Sequence, residues 1–259
     1  MKRKLFVIKI GGNIINNEKE LQNFLENLSK KEGAIILVHG GGKLATQMSN
    51  QLGIETKMIN GRRITSKENL DIVTMIYAGL INKKITAALQ GFGKNALGLT
   101  GADANCISSN KTPTNPIDFG FVGDVTGVNS KAIQVFLENK MLPVFCAITH
   151  DEAGQLLNTN ADTIAAEIAI GMSEFYETEL IYCFEKKGVL ADSENDDSVI
   201  SKIDKVYYEQ LQKDGVIHSG MLPKMKNCFY ALENNVQKVI IGDTQVINNS
   251  QTVFTTLTL

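Results

Sequence analysis

The sequence predicts an α/β protein with an open, mostly parallel central sheet sandwiched by helices. Three observations carry this. Residues 5–8 and 34–38 are short, uninterrupted apolar runs rich in β-formers, the pattern of strands buried on both faces. Between them, residues 18–30 repeat apolar side chains at helical spacing, so strand, helix and strand read as a βαβ unit with a right-handed crossover. The alternation then continues to the end of the chain, through apolar runs at 142–148, 179–184 and 238–241.

Taken in order, the first strand runs into Lys9-Ile10-Gly11-Gly12. A lysine stands at the strand end, and two glycines let the backbone approach a ligand and offer bare N–H groups to anionic oxygens. Leu21, Phe24, Leu25 and Leu28 then line one helix face. The second strand ends in His39-Gly40-Gly41-Gly42, and the helix predicted over 43–52 directs its N-terminus at whatever anion these glycines hold. Two glycine turns at the ends of two buried strands suggest a phosphate cradle. Residues 58–65 contain an Asn-Gly turn and predict a hairpin. Ser66 caps a long helix over 69–89, with Leu70, Val73, Met75, Ile76, Leu80, Ile81 and Ile85 on its apolar side.

Residues 96–99 read as a short strand, and 105–128, with Pro113, Pro116 and several glycines, as a β-rich region outside the main sheet. A helix over 131–139, the strand at 142–148, a loop over 151–160 and an alanine-rich helix over 161–170 follow. The second half opens with the strand at 179–184. The polar run 192–198 is a surface loop whose acids lack the spacing and the glycine of a calcium hand. A helix over 203–212, a loop over 215–220, a helix over 221–234 carrying Lys224 and the strand at 238–241 complete the chain.

At 259 residues, with 43% hydrophobic and 21% charged, the chain can bury a large core as one domain or two lobes. A net charge of −2 offers no basic field, so no nucleic-acid partner is expected. No apolar run reaches membrane-span length and the N-terminus lacks a cleavage-site pattern, which predicts a cytoplasmic protein with no membrane partner. Cys106, Cys146, Cys183 and Cys228 are far apart with no CxxC pair, so they read as reduced buried thiols, and no protein metal site is expected. A Rossmann dehydrogenase is disfavoured, because Gly11-Gly12 lacks the three-glycine spacing and His39 with its glycines stands where the ribose-binding acid belongs.

Five stretches resemble, in order, the motifs of the amino acid kinase family: Lys9-Ile10-Gly11-Gly12, His39-Gly40-Gly41-Gly42, Asn60-Gly61-Arg62-Arg63-Ile64-Thr65, Leu157-Asn158-Thr159-Asn160-Ala161-Asp162 and Gly220-Met221-Leu222-Pro223-Lys224. Asn82-Lys83 and Phe121-Val122-Gly123-Asp124 lie between them as in the family. One such motif is weak; five in order, reaching to about residue 240, are specific. The resemblance is to the members that act on N-acylated glutamate. It implies transfer of the γ-phosphoryl of ATP to the side-chain carboxylate of N-acetyl-L-glutamate in arginine biosynthesis. N-succinyl-L-glutamate is the alternative acceptor, and carbamate kinase and aspartokinase are the alternative family activities. It further implies two lobes, residues 1–175 for acylglutamate binding and dimerisation and 176–259 for the nucleotide.

By the same resemblance, Lys9 and Lys224 flank the transferred phosphoryl and Asp162 orients them. Gly11, Gly12, Gly41 and Gly42 offer backbone N–H groups to the phosphoryl and the attacking carboxylate. Arg63 and Asn158 take the substrate's α-carboxylate, with Asn160 behind them. Glu185, Lys186, Lys187, Gly188, Val189, Leu190, Val216, Ile217 and His218 line the nucleotide pocket, although the turn from Phe184 departs from the family's small residue and aspartate. Magnesium is implied with ATP, held mainly by phosphate oxygens. Arg62 stands where the family has an apolar residue, and this second guanidinium needs an anion: a succinyl carboxylate, or an acid of its own chain. His39 and His218 are not expected to act as bases, since a carboxylate nucleophile has no proton to lose at neutral pH. The chain enters its first strand by Leu5, leaving no room for the N-terminal helix that joins dimers into hexamers in arginine-inhibited members. A homodimer that ignores arginine is expected, with its interface on the long helix near residues 66–89.

Overall fold

In the computed structural model, which describes residues 2–59, 61–217, 221–248 and 252–259, the first apolar run becomes strand β1 (Lys4–Ile10) at the heart of the sheet. It pairs in parallel with β2 (Ala34–His39) on one side and β11 (Glu177–Cys183) on the other. Leu5, Val7, Ile8 and Ile10 are fully buried, as two-sided helix cover requires. The eight-stranded sheet has the order β12-β14-β13-β11-β1-β2-β8-β5. Here β5 is Ala96–Leu99, β8 Leu142–Cys146, β12 Lys202–Ile203, β13 Lys238–Gly242 and β14 Thr255–Leu257. All neighbours run parallel except β13 and β14.

The chain order of the remaining elements shows where the sequence reading holds and where packing changes it. Helix α1 (Gly12–Asn16) follows β1 directly, and α2 (Glu18–Lys30), capped by Asn17, buries Phe24, Leu25 and Leu28. Helix α3 (Gly42–Gln51) leaves the second glycine turn. The Asn-Gly hairpin is β3 (Lys57–Ile59) against β4 (Arg62–Ile64), with Asn60 itself outside the described residues. Strands β6 (Ile107–Lys111) and β7 (Gly123–Val128) pair with β9 (Ile148–His150) and β10 (Leu156–Asn158) in a second sheet of order β10-β9-β6-β7. The run read as one strand over 142–148 is therefore two, β8 and β9, serving different sheets. Both are buried, so apolar continuity cannot reveal the switch at Ala147. Helices α6 (Ser130–Glu138), α7 (Ala161–Met172), α8 (Lys205–Lys213) and α9 (Leu222–Glu233) complete the layers.

The long helix starts at Ser66, whose hydroxyl accepts from the Asn69 N–H at 3.2 Å. It runs as α4 (Lys67–Thr74), a π-helical stretch (Met75–Ile81) and α5 (Asn82–Gly91). The extra residue per turn shifts the phase of the apolar stripe. Ile76, Tyr77 and Ile81 face the core, whereas Met75 and Leu80, expected on the apolar side, are 57% and 42% exposed. By length and composition alone this 25-residue helix is long and apolar enough to cross a membrane, a test that a buried core helix also passes. Its apolar side chains are accounted for by packing on the core, where Leu70, Ile72, Val73, Ile85 and Leu89 are buried.

Asn82 ties this helix to the sheet. Its amide Nδ2 donates to the Val144 carbonyl at 2.9 Å and to His39 Nε2 at 3.1 Å, while His39 Nδ1 donates to the Gly40 carbonyl at 2.9 Å. The imidazole is thus neutral and buried, and burial pushes its pKa down to about 4. The unfolded chain binds the proton first as pH falls, so this group's stability is full above pH 6.5 and is lost towards pH 4. The expected loss between pH 7 and pH 5 is about 2 kcal/mol. Urea unfolding at the two pH values measures it; a His39→Gln variant with an equally steep pH dependence would exclude His39 as the source.

Candidate active site

Ile10 and His39 are register partners, so both glycine turns open on one edge of the sheet. At the first, the Gly11 amide donates to the Cys183 carbonyl at 2.9 Å, continuing the β1–β11 ladder. Of the two expected phosphoryl donors, Gly11 is therefore already engaged, while the Gly12 amide lies in the first turn of α1, where no intrahelical acceptor exists. At the second, a Cβ on Gly41 would collide with Ile81 Cδ1 and the Tyr77 ring, so only glycine lets the turn press against the long helix.

Lys9 ends up 8% exposed, and its Nζ lies 2.7 Å from Asp162 Oδ1. Asp162 sits in the first turn of α7. The helix cap there is Asn160, whose Oδ1 accepts from the Asp162 N–H at 2.7 Å and the Thr163 N–H at 3.1 Å. This gives Asn160 a structural task and leaves the Asp162 carboxylate free for Lys9. Lys224 enters from the first turn of α9. Burial pushes its pKa down, Asp162 and Glu185 push it up, and Lys9 pushes it down, which places all four groups in one electrostatic neighbourhood. Both ammonium groups lie over the Phe184 ring, Lys224 at 3.9 Å from the centroid and Lys9 at 5.2 Å. Asp162, Lys224, Arg62, Asp124 and Asn160 line a cleft of about 900 Å³.

A smaller cavity of about 180 Å³ shares Gly61, Arg62, Thr159 and Asn160 with that cleft and reaches Gly41, Gly42, Arg63, Tyr77 and Asn158. Arg63 is 6% exposed and has no acidic partner among the described residues. Its Nη2 donates to the Gly42 carbonyl at 3.0 Å and to Thr46 Oγ1 at 2.7 Å, and its Nη1 to Thr56 Oγ1 at 3.2 Å. Nothing in the spacing of the sequence marks Thr46 and Thr56 as holders of this guanidinium. Asn158 Nδ2 donates to Thr65 Oγ1 at 3.0 Å, holding β10 against the strand that carries Arg63. Arg62 has found its anion within the chain: Nη2 lies 3.0 Å from Asp124 Oδ1 and 3.1 Å from Thr112 Oγ1, and the guanidinium stacks on Phe119 at 4.8 Å.

Of the expected nucleotide residues, none of the described ones lines either cavity. Glu185, Lys186 and Lys187 are exposed, and the two lysines pair with Asp196 at 2.5 Å and Asp197 at 3.1 Å in the acidic loop. Gly188 and Val189 are buried beneath β14, where Thr255 Oγ1 accepts from the Val189 N–H at 2.8 Å, and Leu190 bridges to Val199. Val216 and Ile217 cover the end of α8 through bonds to the Leu211 carbonyl, and His218 and Gly220 lie outside the described residues. The four cysteines are buried and free, and burial pushes the thiols of Cys106, Cys146 and Cys183 up to about 12 and that of Cys228 up as well. A larger groove, about 980 Å³, lies beside Lys2, Glu177 and Leu259 and contains none of the expected residues.

The chain belongs to the amino acid kinase family, whose model matches residues 4–243. Within it, the chain is 50% identical to the acetylglutamate kinase of Cytophaga hutchinsonii, over 98% of each protein. It is 49% identical to that of Bacteroides thetaiotaomicron, over 97% of this chain and 98% of the relative. Among solved structures, smu.665 from Streptococcus mutans superposes with a TM-score of 0.78 at 27% identity over 98% of both chains. Carbamate kinase from Giardia lamblia bound to AMP-PNP superposes with a TM-score of 0.72 at 14% identity, over 99% of this chain and 98% of that one, a likeness of fold.

Proposed function

We propose that this chain transfers the γ-phosphoryl group of ATP to the side-chain carboxylate of N-acetyl-L-glutamate, the acyl-phosphate-forming step of arginine biosynthesis, giving N-acetylglutamyl 5-phosphate and ADP. The observation that carries the reading is Arg63: a buried guanidinium with no acidic partner among the described residues, facing a cavity that opens into the cleft of Asp162 and Lys224. A bound α-carboxylate supplies its missing counter-ion through a charge-assisted, bidentate contact. The near-full-length identity with acetylglutamate kinases supports the same substrate.

The chemistry brings two anions end to end. A carboxylate oxygen forms a bond to the γ-phosphorus, the bond from that phosphorus to the bridging oxygen breaks, and ADP leaves with the electron pair; no proton moves. Lys9 and Lys224 cancel charge on the group in flight, Asp162 holds Lys9 in place, and the Gly12 and Gly42 amides donate to oxygens, so positioning and electrostatics do the catalysis. Magnesium, when bound, neutralises the polyphosphate. No group of three or more His, Cys, Asp or Glu suited to a metal occurs among the described residues, and Asp162 is committed to Lys9, which fits a metal carried by phosphate oxygens and water.

In this reading residues 1–175 hold the acylglutamate and the dimer contact, and 176–259, with Glu185–Leu190 and 216–218, hold the nucleotide, which requires the Lys186 and Lys187 pairs to yield to phosphate. Exposed Met75 and Leu80 support a homodimer through the long helix; light scattering is expected to give twice the 28.3 kDa chain mass, and a monomer or a hexamer overturns this. Four free thiols fit a cytoplasmic enzyme.

Hydroxylamine trapping tests the function. Hydroxamate is expected only with ATP and N-acetylglutamate together, and its absence refutes the reading. Because Asp124 already pairs with Arg62, a succinyl carboxylate is not needed, and kcat/KM is expected to favour N-acetylglutamate, with Arg62→Leu changing the ratio of the two substrates by less than about threefold, as for an exposed ion pair. A succinylglutamate preference that vanishes in Arg62→Leu would instead assign Arg62 to the acyl carboxylate.

A further inference from the structure

We propose that Phe184 is a positioning residue for phosphoryl transfer, its ring face being the seat that holds the Lys224 ammonium beside the Lys9–Asp162 pair. The inference rests on the roles of Lys9 and Lys224 given above.

Among the described residues Lys224 has no ion-pair partner, so the ring at 3.9 Å is the contact that fixes its charged end. The ring is itself held from several sides. The Phe184 amide donates to the Gly242 carbonyl at 2.8 Å, and the ring stacks on Tyr182 with centroids 6.1 Å apart and planes 5° from parallel. The Tyr182 hydroxyl donates to the Asp162 carbonyl at 2.9 Å, linking the ring to the residue that holds Lys9.

The chemistry favours an aromatic ring over an acid at this place. Asp162 pairs with Lys9 and not with Lys224, so the Lys224 charge is left available to the incoming phosphate. A second carboxylate would hold Lys224 but repel that phosphate. The ring quadrupole attracts the ammonium and adds no charge. The groups facing Lys224 are Asp162 from α7, Lys9 from β1, Glu185 beyond β11 and Cys228 on its own helix, and burial opposes its charged form. Removing the π face while keeping apolar bulk therefore both loosens Lys224 and makes its proton easier to lose.

The test compares the full-length wild type with Phe184→Leu and Phe184→Tyr. Two readouts are taken: steady-state kinetics, and an NMR titration of the Lys224 side chain in the substrate-free protein, assigned with Lys224→Arg. Phe184→Leu is expected to lower kcat by about 3- to 30-fold, the range of a cation–π contact from exposed to desolvated, with KM for N-acetylglutamate changing less than about twofold. The Lys224 titration is expected to move to lower pH, and Phe184→Tyr to restore both. If the leucine variant does not fold, Phe184→Met serves in its place. Unchanged kcat, an unchanged titration, or a tyrosine variant as impaired as leucine overturns the proposal. Absence of turnover in the wild type would refute the functional reading instead, while the titration would still report whether the ring holds Lys224.

Discussion

Replacing Lys9 or Lys224 by methionine is expected to lower kcat by about a hundredfold or more, because a preorganised charge aimed at the transition state is worth about 3 kcal/mol. The two variants should differ in stability. Lys224 makes no ion pair among the described residues, so Lys224→Met should leave unfolding nearly unchanged. Lys9 is the counter-ion of a buried carboxylate at 2.7 Å, so Lys9→Met strands Asp162 and should cost about 3–5 kcal/mol. Adding Asp162→Asn to Lys9→Met should recover much of that stability and none of the turnover. Near-normal kcat in either single variant removes that lysine from the mechanism. Equal stability of the two would mean that the Lys9–Asp162 pair does not matter to the fold.

The second large effect is expected at Arg63. Arg63→Met should reduce kcat/KM for N-acetylglutamate by about a hundredfold, mostly through KM, since two charge-assisted hydrogen bonds to a substrate carboxylate contribute about 3 kcal/mol. Arg63→Lys should recover little, because a single ammonium cannot reproduce a planar fork already braced by Thr46, Thr56 and the Gly42 carbonyl. KM for ATP should hardly change. A variant with unaltered KM for the acylglutamate would show that Arg63 only braces the glycine turn.

Much of the fold was legible in the chain because its signals are local. β1, β2 and β11 each contain an unbroken apolar run, the helices between them carry their periodicity, and Ser66 announces its helix by side-chain chemistry. What escaped depends on partners distant in sequence. β14 is a threonine-rich tail whose strand character comes from pairing with β13 and from Thr255 beneath the 188–189 turn. The split of 142–148 between two sheets and the π-helical phase shift that turns Met75 and Leu80 outward are likewise decided by packing.

The same division runs through the candidate site. By itself, the sequence determined which residue types are present and in what order: lysines and glycines at strand ends, an arginine in a hairpin, an aspartate at a helix start, enough to point to the family and its chemistry. Only the tertiary structure decided how they are used. It assigned the helix cap to Asn160 and so left the Asp162 carboxylate to Lys9, gave Arg62 its anion in Asp124 while leaving Arg63 without one among the described residues, and committed the Gly11 amide to Cys183. It also laid both ammonium groups over Phe184. The physical reason is that a charge or a hydrogen-bond donor is defined by what lies within about 3–4 Å of it, and in this chain those neighbours come from elements far apart in sequence.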